Sequence, residues 1–340
     1  MSGSGFQWSV RITVACFGLS LGALLVAGCA ELPEKPPHAT HSSILGRAHF
    51  VAADGAVLPV RAWLPPINPP RAIVLGLHGF NDYSKAFESP GGYLRQRGIA
   101  VFAYDQRGFG NAPGRGIWAG TAAYVADLAA ITDQLQHRYP DTPIYILGES
   151  MGAALAIVAM TREHPPRVDG LILSAPAVWA RDLMPWYQRA VLALFAATLP
   201  ELELTGSGLK IQASDNIEML RGLGRDPLVI KSTRVAAVDG LSDLMDAAQA
   251  HAGALNLPVL VLYGQRDEVI PLPPVVAMLN KLVNKPAVRM ALYPEGYHLL
   301  LRDIKAQVPL GDMVAWINDH QAPLPSTYDQ KLEYQPLPYR

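Results

Sequence analysis

The run from Pro143 to Met160, P-I-Y-I-L-G-E-S-M-G-A-A-L-A-I-V-A-M, leaves the backbone very few paths. Ile144 to Leu147 are apolar and β-favouring, and an Ala-rich segment of helical composition starts straight after Gly152. The turn joining them, Gly148-Glu149-Ser150-Met151-Gly152, must therefore be sharp. It strains the backbone at Ser150, and Gly148 and Gly152 leave room where side chains would collide. A G-x-S-x-G string alone is a weak signal, equally at home in a small-residue turn that packs a strand on a helix. The strand before it and the helix after it make it a nucleophile elbow. Such an elbow lifts the Ser150 hydroxyl above the sheet edge and aims the next helix N-terminus at whatever that hydroxyl attacks.

The flanking chain repeats the same rhythm. A hairpin is expected from Arg47, turning at Asp54-Gly55. Continuous apolar runs at Arg71–Leu77, Ile99–Tyr104, Val168–Ser174, Leu257–Tyr263 and Val288–Tyr293 read as strands covered on both faces. Helical spacing occupies the intervals, including Thr121–Arg138 and, last, Gly311–His320. This alternation predicts an α/β fold with a mainly parallel central sheet and helices on both sides, built from residues 47–176 and 258–320. Residues 177–257 break the pattern: they hold no convincing strand, and Arg181–Leu199 reads as a helix apolar around much of its circumference. An insertion leaving the carboxyl end of a central strand hangs over the ligand site of an open sheet, so this segment is expected to be a helical cap or lid. Trp186 and Phe195 are its candidate substrate contacts. The Pro-rich tail, residues 321–340, is expected to run extended along the surface or to be disordered.

A net charge of -1 with no polybasic run gives nucleic acid nothing to bind. The two cysteines, Cys16 and Cys29, both precede the expected fold, which excludes a disulfide framework, a cysteine–zinc site or a catalytic thiol within it. Arg11 and the apolar stretch Ile12–Ala27 suit a signal segment, somewhat short for a membrane span. It ends Leu25-Val26-Ala27-Gly28-Cys29, which resembles the lipobox of bacterial lipoproteins. That resemblance implies removal of residues 1–28, lipidation of Cys29, and a Pro-rich tether over residues 29–46. It implies a lipid-anchored address in a bacterial cell envelope. Ala30 after the cysteine resembles an outer-membrane sorting signal, with the domain facing the periplasm.

A serine hydroxyl needs a base to take its proton, and the base needs a carboxylate to hold its tautomer. The expected strand ending near Gly264 runs into Gln265-Arg266-Asp267-Glu268, and the last strand runs into Pro294-Glu295-Gly296-Tyr297-His298. Ser150, Asp267 and His298 therefore fall in the chain order of the α/β hydrolases. Glu268 is the rival acid, with Asp239 and Asp243 behind it. The oxyanion donors expected are the amides of Met151, after the nucleophile, and Phe80, in the loop after His78-Gly79. His78 is expected to brace that loop, since no partner stands at H-E-x-x-H spacing to make it a metal ligand. Pro113 occupies the third glycine position of a would-be dinucleotide loop at Gly108, which excludes that reading. Asp105 and Arg107 are expected to lock the turn as a pair.

Taken together, H-G-F at 78–80, D-x-R-G-x-G at 105–110, G-E-S-M-G at 148–152, G-x-x-D at 264–267 and Tyr297-His298 resemble the monoglyceride lipase and lysophospholipase group of α/β hydrolases. That group is also catalogued with serine aminopeptidases. The resemblance spans Arg47 to His320 and implies Ser150 as nucleophile, Asp267 as acid, His298 as base, and Phe80 and Met151 as oxyanion donors. It implies a serine hydrolase acting on esters with one acyl chain through an acyl-enzyme, with no metal or organic cofactor. Two alternatives stay open: an aminopeptidase or other amide hydrolase using the same triad, and a catalytically silent envelope binding protein. Two departures border the expected pocket. Glu149 stands where the group usually has His, and Asn81-Asp82 replaces its usual Gly-Glu-His continuation.

Overall fold

Period-two alternation within continuous apolar strands decides the architecture. In the computed structural model, which describes Ala39 and residues 42–334 apart from Ser207, Leu209 and Pro286, ten strands form one sheet. The expected signal segment, Cys29, most of the tether and the last residues of the tail lie outside the described residues. A meander of β1 (Ile44–Leu45), β2 (His49–Val51) and β3 (Val57–Trp63) leads antiparallel into the sheet. Then come β4 (Ala72–Leu77), β5 (Ile99–Tyr104), β6 (Ile144–Glu149) and β7 (Gly170–Ser174). A two-stranded ribbon of β8 (Glu203–Thr205) and β9 (Ser232–Arg234) stands apart. The sheet continues with β10 (Val259–Gly264), β11 (Val288–Tyr293) and the short antiparallel β12 (Asp329–Gln330). The order is β1-β2-β3-β5-β4-β6-β7-β10-β11-β12, parallel from β5 through β11.

The central parallel strands feed two cores. Ile73 and Leu75 of β4 join Ile146, Leu171 and Val261 on one face, while Val74 joins Val101, Leu147 and Leu262 on the other. Helices α1 (Glu88–Arg95) and α8 (Gln307–Asn318) cover the second face through Leu94, Met313 and Trp316. The first face carries α2 (Thr121–Arg138), α3 (Met151–Met160), α6 (Val235–His251) and α7 (Leu272–Asn280). The cap holds α4 (Trp186–Thr198) and α5 (Ile217–Arg225).

Three expectations need amending. The cap is not purely helical, since β8 and β9 pair within it. Helix α6, assigned to the cap from sequence, packs on α3 with Leu244, Met245 and Ala248 in the main core. At the chain ends, Ile44–Leu45 lies in β1 rather than in a tether, and part of the tail enters the sheet as β12. Arg289 on β11 holds Asp329 through two bonds of 2.6 and 2.7 Å, and Asp312 accepts from the Ser326 amide at 2.9 Å. Both contacts are long-range pairings that local composition cannot announce.

Trp316 is fully buried, and the missing Cβ of Gly170 is what lets its ring lie against β7. Trp316→Ala should lower the unfolding free energy by about 3–5 kcal/mol in a denaturant titration, through lost transfer energy and the cavity left behind.

Candidate active site

The carboxyl edge of β4, β6, β10 and β11 gathers the predicted groups. Ser150 follows β6 with φ 54 and ψ −114, a left-handed backbone rare for a residue with a side chain. Its amide donates to Ser174 O at 3.0 Å and its carbonyl accepts from the Ala177 amide at 3.1 Å, so β7 clamps the turn. A side chain at Gly148 would strike the backbone of Ala153, and one at Gly152 would strike the carbonyl of Leu77. The elbow closes only with glycine at both positions.

Asp267 and His298, separated by 31 residues in sequence, meet across the β10 and β11 loops with His298 Nδ1 2.8 Å from Asp267 Oδ2. The second oxygen of Asp267 accepts from the amides of Val269 at 2.8 Å and Ile270 at 3.0 Å. With both side chains almost fully buried, the carboxylate fixes the ring so that Nε2 is the nitrogen left to act as base. The rival acids are occupied elsewhere. Glu268 accepts from the Gln212 amide at 2.7 Å, and Asp239 and Asp243 hold Arg181, each at 2.6 Å.

The Phe80 loop lies against the elbow: a Cβ on Gly79 would come within 3.4 Å of Ser150 Cβ. Its turn is closed by the Asp82 amide donating to Gly79 O at 3.3 Å, with Asn81 at φ 66. His78 braces this loop from below. Its Nδ1–H donates to Gly79 O at 2.9 Å, and its Nε2 accepts from the Gln106 amide at 3.0 Å. Both nitrogens are thus used in the neutral form, and burial pushes its pKa below the ordinary 6.5. Among the described residues no group of three or more His, Cys, Asp or Glu side chains converges as a metal site.

Asp105 and Arg107 do lock turns, but not with each other. Asp105 accepts from the amides of Ser84 and Asn111 at 3.0 and 2.9 Å, whereas Arg107 bonds Asp54 and Asp127 at 2.6 and 2.7 Å. Trp186 is 74% exposed with its ring against Tyr187, while Phe195 is half-buried on α4. Neither cap residue packs into the core.

Sequence reasoning missed Arg302. The residue is 8% exposed, and its guanidinium donates from Nη2 to Glu149 Oε1 at 2.5 Å and from Nη1 to Asp82 Oδ2 at 2.8 Å. Burial raises the Glu149 carboxyl above its ordinary value, and the guanidinium beside it opposes that rise. Burial likewise works against the charge on Arg302, but the two carboxylates keep it protonated. Asp82 and Arg302 also wall a cavity of about 420 Å³ bounded by Tyr83, Met219 and Leu223. The available signal was indirect: two carboxylates at atypical positions beside a buried serine require a counter-charge, and Arg302 follows His298 by one short turn.

The chain is similar to known proteins over most of its length. The family described as serine aminopeptidase, S33, matches residues 68–305. A monoacylglycerol lipase of Mycolicibacterium smegmatis is 24% identical over 82% of this chain and 99% of its own. Human monoglyceride lipase is 26% identical over 80% of this chain and 90% of its own. The crystal structure of Paleococcus ferrophilus monoacylglycerol lipase superposes with a TM-score of 0.65 at 22% identity, covering 78% of this chain and 99% of that one, a likeness of fold.

Protonating His78 would break one of its two bonds, so the unfolded chain binds that proton more readily than the folded one. Stability from His78 is therefore present above the ordinary pKa of 6.5 and lost as pH falls through it. The difference in unfolding free energy between wild type and His78→Asn should shrink by up to about 1.4 kcal/mol per pH unit below that point, read from urea titrations at pH 7, 6 and 5.

Proposed function

Since the chain belongs to the serine aminopeptidase S33 family, we propose that it is a serine hydrolase cleaving the carboxylic esters of single-acyl lipids, monoacylglycerols foremost. The observation that carries this reading is the buried Asp267–His298 hydrogen bond at the sheet edge where Ser150 stands on its strained elbow. In the proposed cycle Ser150 Oγ attacks the ester carbonyl while His298 Nε2 takes its proton. Asp267 holds the imidazole and stabilises the imidazolium. The amides of Phe80 and Met151 receive the negative charge on the tetrahedral oxygen. His298 then returns the proton to the leaving alcohol, and water, activated by the same base, releases the acid from the acyl-enzyme.

The lipid substrate class is supported by relatives named monoacylglycerol and monoglyceride lipases that align over 90% or more of their own lengths. It is supported too by the apolar side chains of α4, where Trp186, Tyr187, Val191 and Leu194 are open to solvent and free to meet an acyl chain. Peptide hydrolysis is not favoured. Of the carboxylates that could bind a substrate amine, the two that border the site, Asp82 and Glu149, are already bound to Arg302.

A fluorophosphonate probe should add one adduct to the intact protein, absent in Ser150→Ala. Hydrolysis of a monoacylglycerol should fall about 10⁴-fold in kcat for Asp267→Asn, where the ring loses its tautomer anchor. An unlabelled wild type that is folded by circular dichroism would sink the hydrolase reading. Labelling together with turnover of aminoacyl amides but not esters would move the activity to amide bonds.

The proposal extends to the envelope: the L-V-A-G-C run ending at Cys29 supports lipid anchoring, with the domain facing the periplasm from the outer membrane. Expressed in a Gram-negative host with an alkyne-palmitate label, the full chain should carry the label in the membrane fraction, and Cys29→Ala should carry none. Equal labelling of the two would exclude lipidation at that cysteine.

A further inference from the structure

We infer that Arg302 is a positioning residue for catalysis, whose guanidinium holds the two halves of the oxyanion site in register by gripping Glu149 and Asp82 together. The inference rests on the reading of Ser150 as nucleophile and of Phe80 and Met151 as donors. Three loops meet at this one side chain. Glu149 is the last residue of β6, bonded directly to Ser150, so its carboxylate is a handle on the turn that presents both the hydroxyl and the Met151 amide. Asp82 closes the turn around Phe80 through its amide and offers its carboxylate to Nη1, with its other oxygen accepting from the Tyr83 amide at 2.8 Å. Arg302 itself ends the short turn that begins at His298, its amide donating to Leu299 O at 2.8 Å.

Among the described residues the guanidinium has no side-chain partner besides these two carboxylates. Its Nε is buried without a hydrogen bond, so the two carboxylates alone decide where the group sits. A planar fork can bridge two carboxylates at a set separation, which an ammonium on a flexible stem cannot. The two positions at which this chain departs from the pattern of its group are thus one device: Glu149 and Asp82 are tolerable in a buried site only together, and only with Arg302 between them. A shift of this clamp would move the Met151 and Phe80 amides relative to each other. That change is felt by the tetrahedral oxygen and hardly by the ground-state ester.

The test uses the full chain in detergent, with Arg302→Lys and the triple variant Asp82→Asn/Glu149→Gln/Arg302→Met, which removes all three charges and leaves no buried carboxylate alone. Thermal unfolding and the fraction labelled by a fluorophosphonate establish how much protein is folded and competent. Per competent site, the triple variant should lose about 10- to 100-fold in kcat on a p-nitrophenyl ester, with KM changed less than about threefold. Affinity for an alkyl trifluoromethyl ketone, which binds as the tetrahedral adduct, should fall by the same factor as kcat/KM. Arg302→Lys should lie between, in the same proportion on both readings. A role limited to stability would lower the competent fraction and leave kcat and ketone affinity per site at wild-type values, and that result overturns the inference. Should the triple variant not fold, wild-type kcat and ketone affinity in Arg302→Lys overturn it equally. A wild type without a Ser150 adduct removes the nucleophile reading, and this inference with it.

Discussion

The strained backbone of Ser150 organises the elements around it. A residue with a side chain held at φ 54 and ψ −114 costs of order 1–3 kcal/mol. Nothing local offsets that cost. The offset comes from β6 being buried between β4 and β7, from α3 packing its whole length into the core, and from the Ser174 and Ala177 contacts that pin the turn on both sides. Gly148 and Gly152 bring Ala153 and the Leu77 carbonyl so close that no relaxed turn fits. Packing energy spread over the sheet is thereby concentrated on one peptide unit, and its consequence is a hydroxyl held clear of its own strand.

Around this point each buried ionisable side chain is held by hydrogen bonds, either to a counter-charge or to backbone groups. Asp267 spends one oxygen on two loop amides and the other on His298, so its orientation is set before any substrate arrives. His78 uses both ring nitrogens on backbone partners. Arg107 joins Asp54 from the first hairpin to Asp127 of α2, and Arg302 joins Glu149 to Asp82. Deleting Arg302 would strand Glu149 and Asp82 in a low-dielectric interior, a loss of about 3–5 kcal/mol for a buried ion pair. These networks fix which loop faces which, whereas the hydrophobic core fixes only that the layers meet.

Much of the fold was legible because doubly covered strands need no partner to be recognised. Ile99–Tyr104 and Val259–Gly264 are apolar throughout, and wherever they pair they must be buried. Ser150, Asp267 and His298 were legible for a related reason: each follows a strand of that kind, and strand ends in a parallel sheet converge on one edge. What was not legible depended on pairings distant in sequence. Strands β8 and β9 are three residues each with no fully buried face, so composition does not mark them. Arg107 was expected beside Asp105, its neighbour in the chain, yet it finds Asp54 and Asp127, which are 53 and 20 residues away.

The layered α/β order, the elbow, and Ser150, Asp267 and His298 at strand ends in that chain order are written in the sequence alone. These follow from hydrophobic period, glycine spacing and strand ends, all of which act locally. Which carboxylates are available for chemistry follows from how the chain folds back on itself. Glu268, Glu149 and Asp82 looked as free as Asp267 along the chain, but Gln212 and Arg302 claim them. The physical reason is that a charge's role is set by what stands within about 3 Å of it once water is excluded, and that neighbour comes from a distant part of the chain.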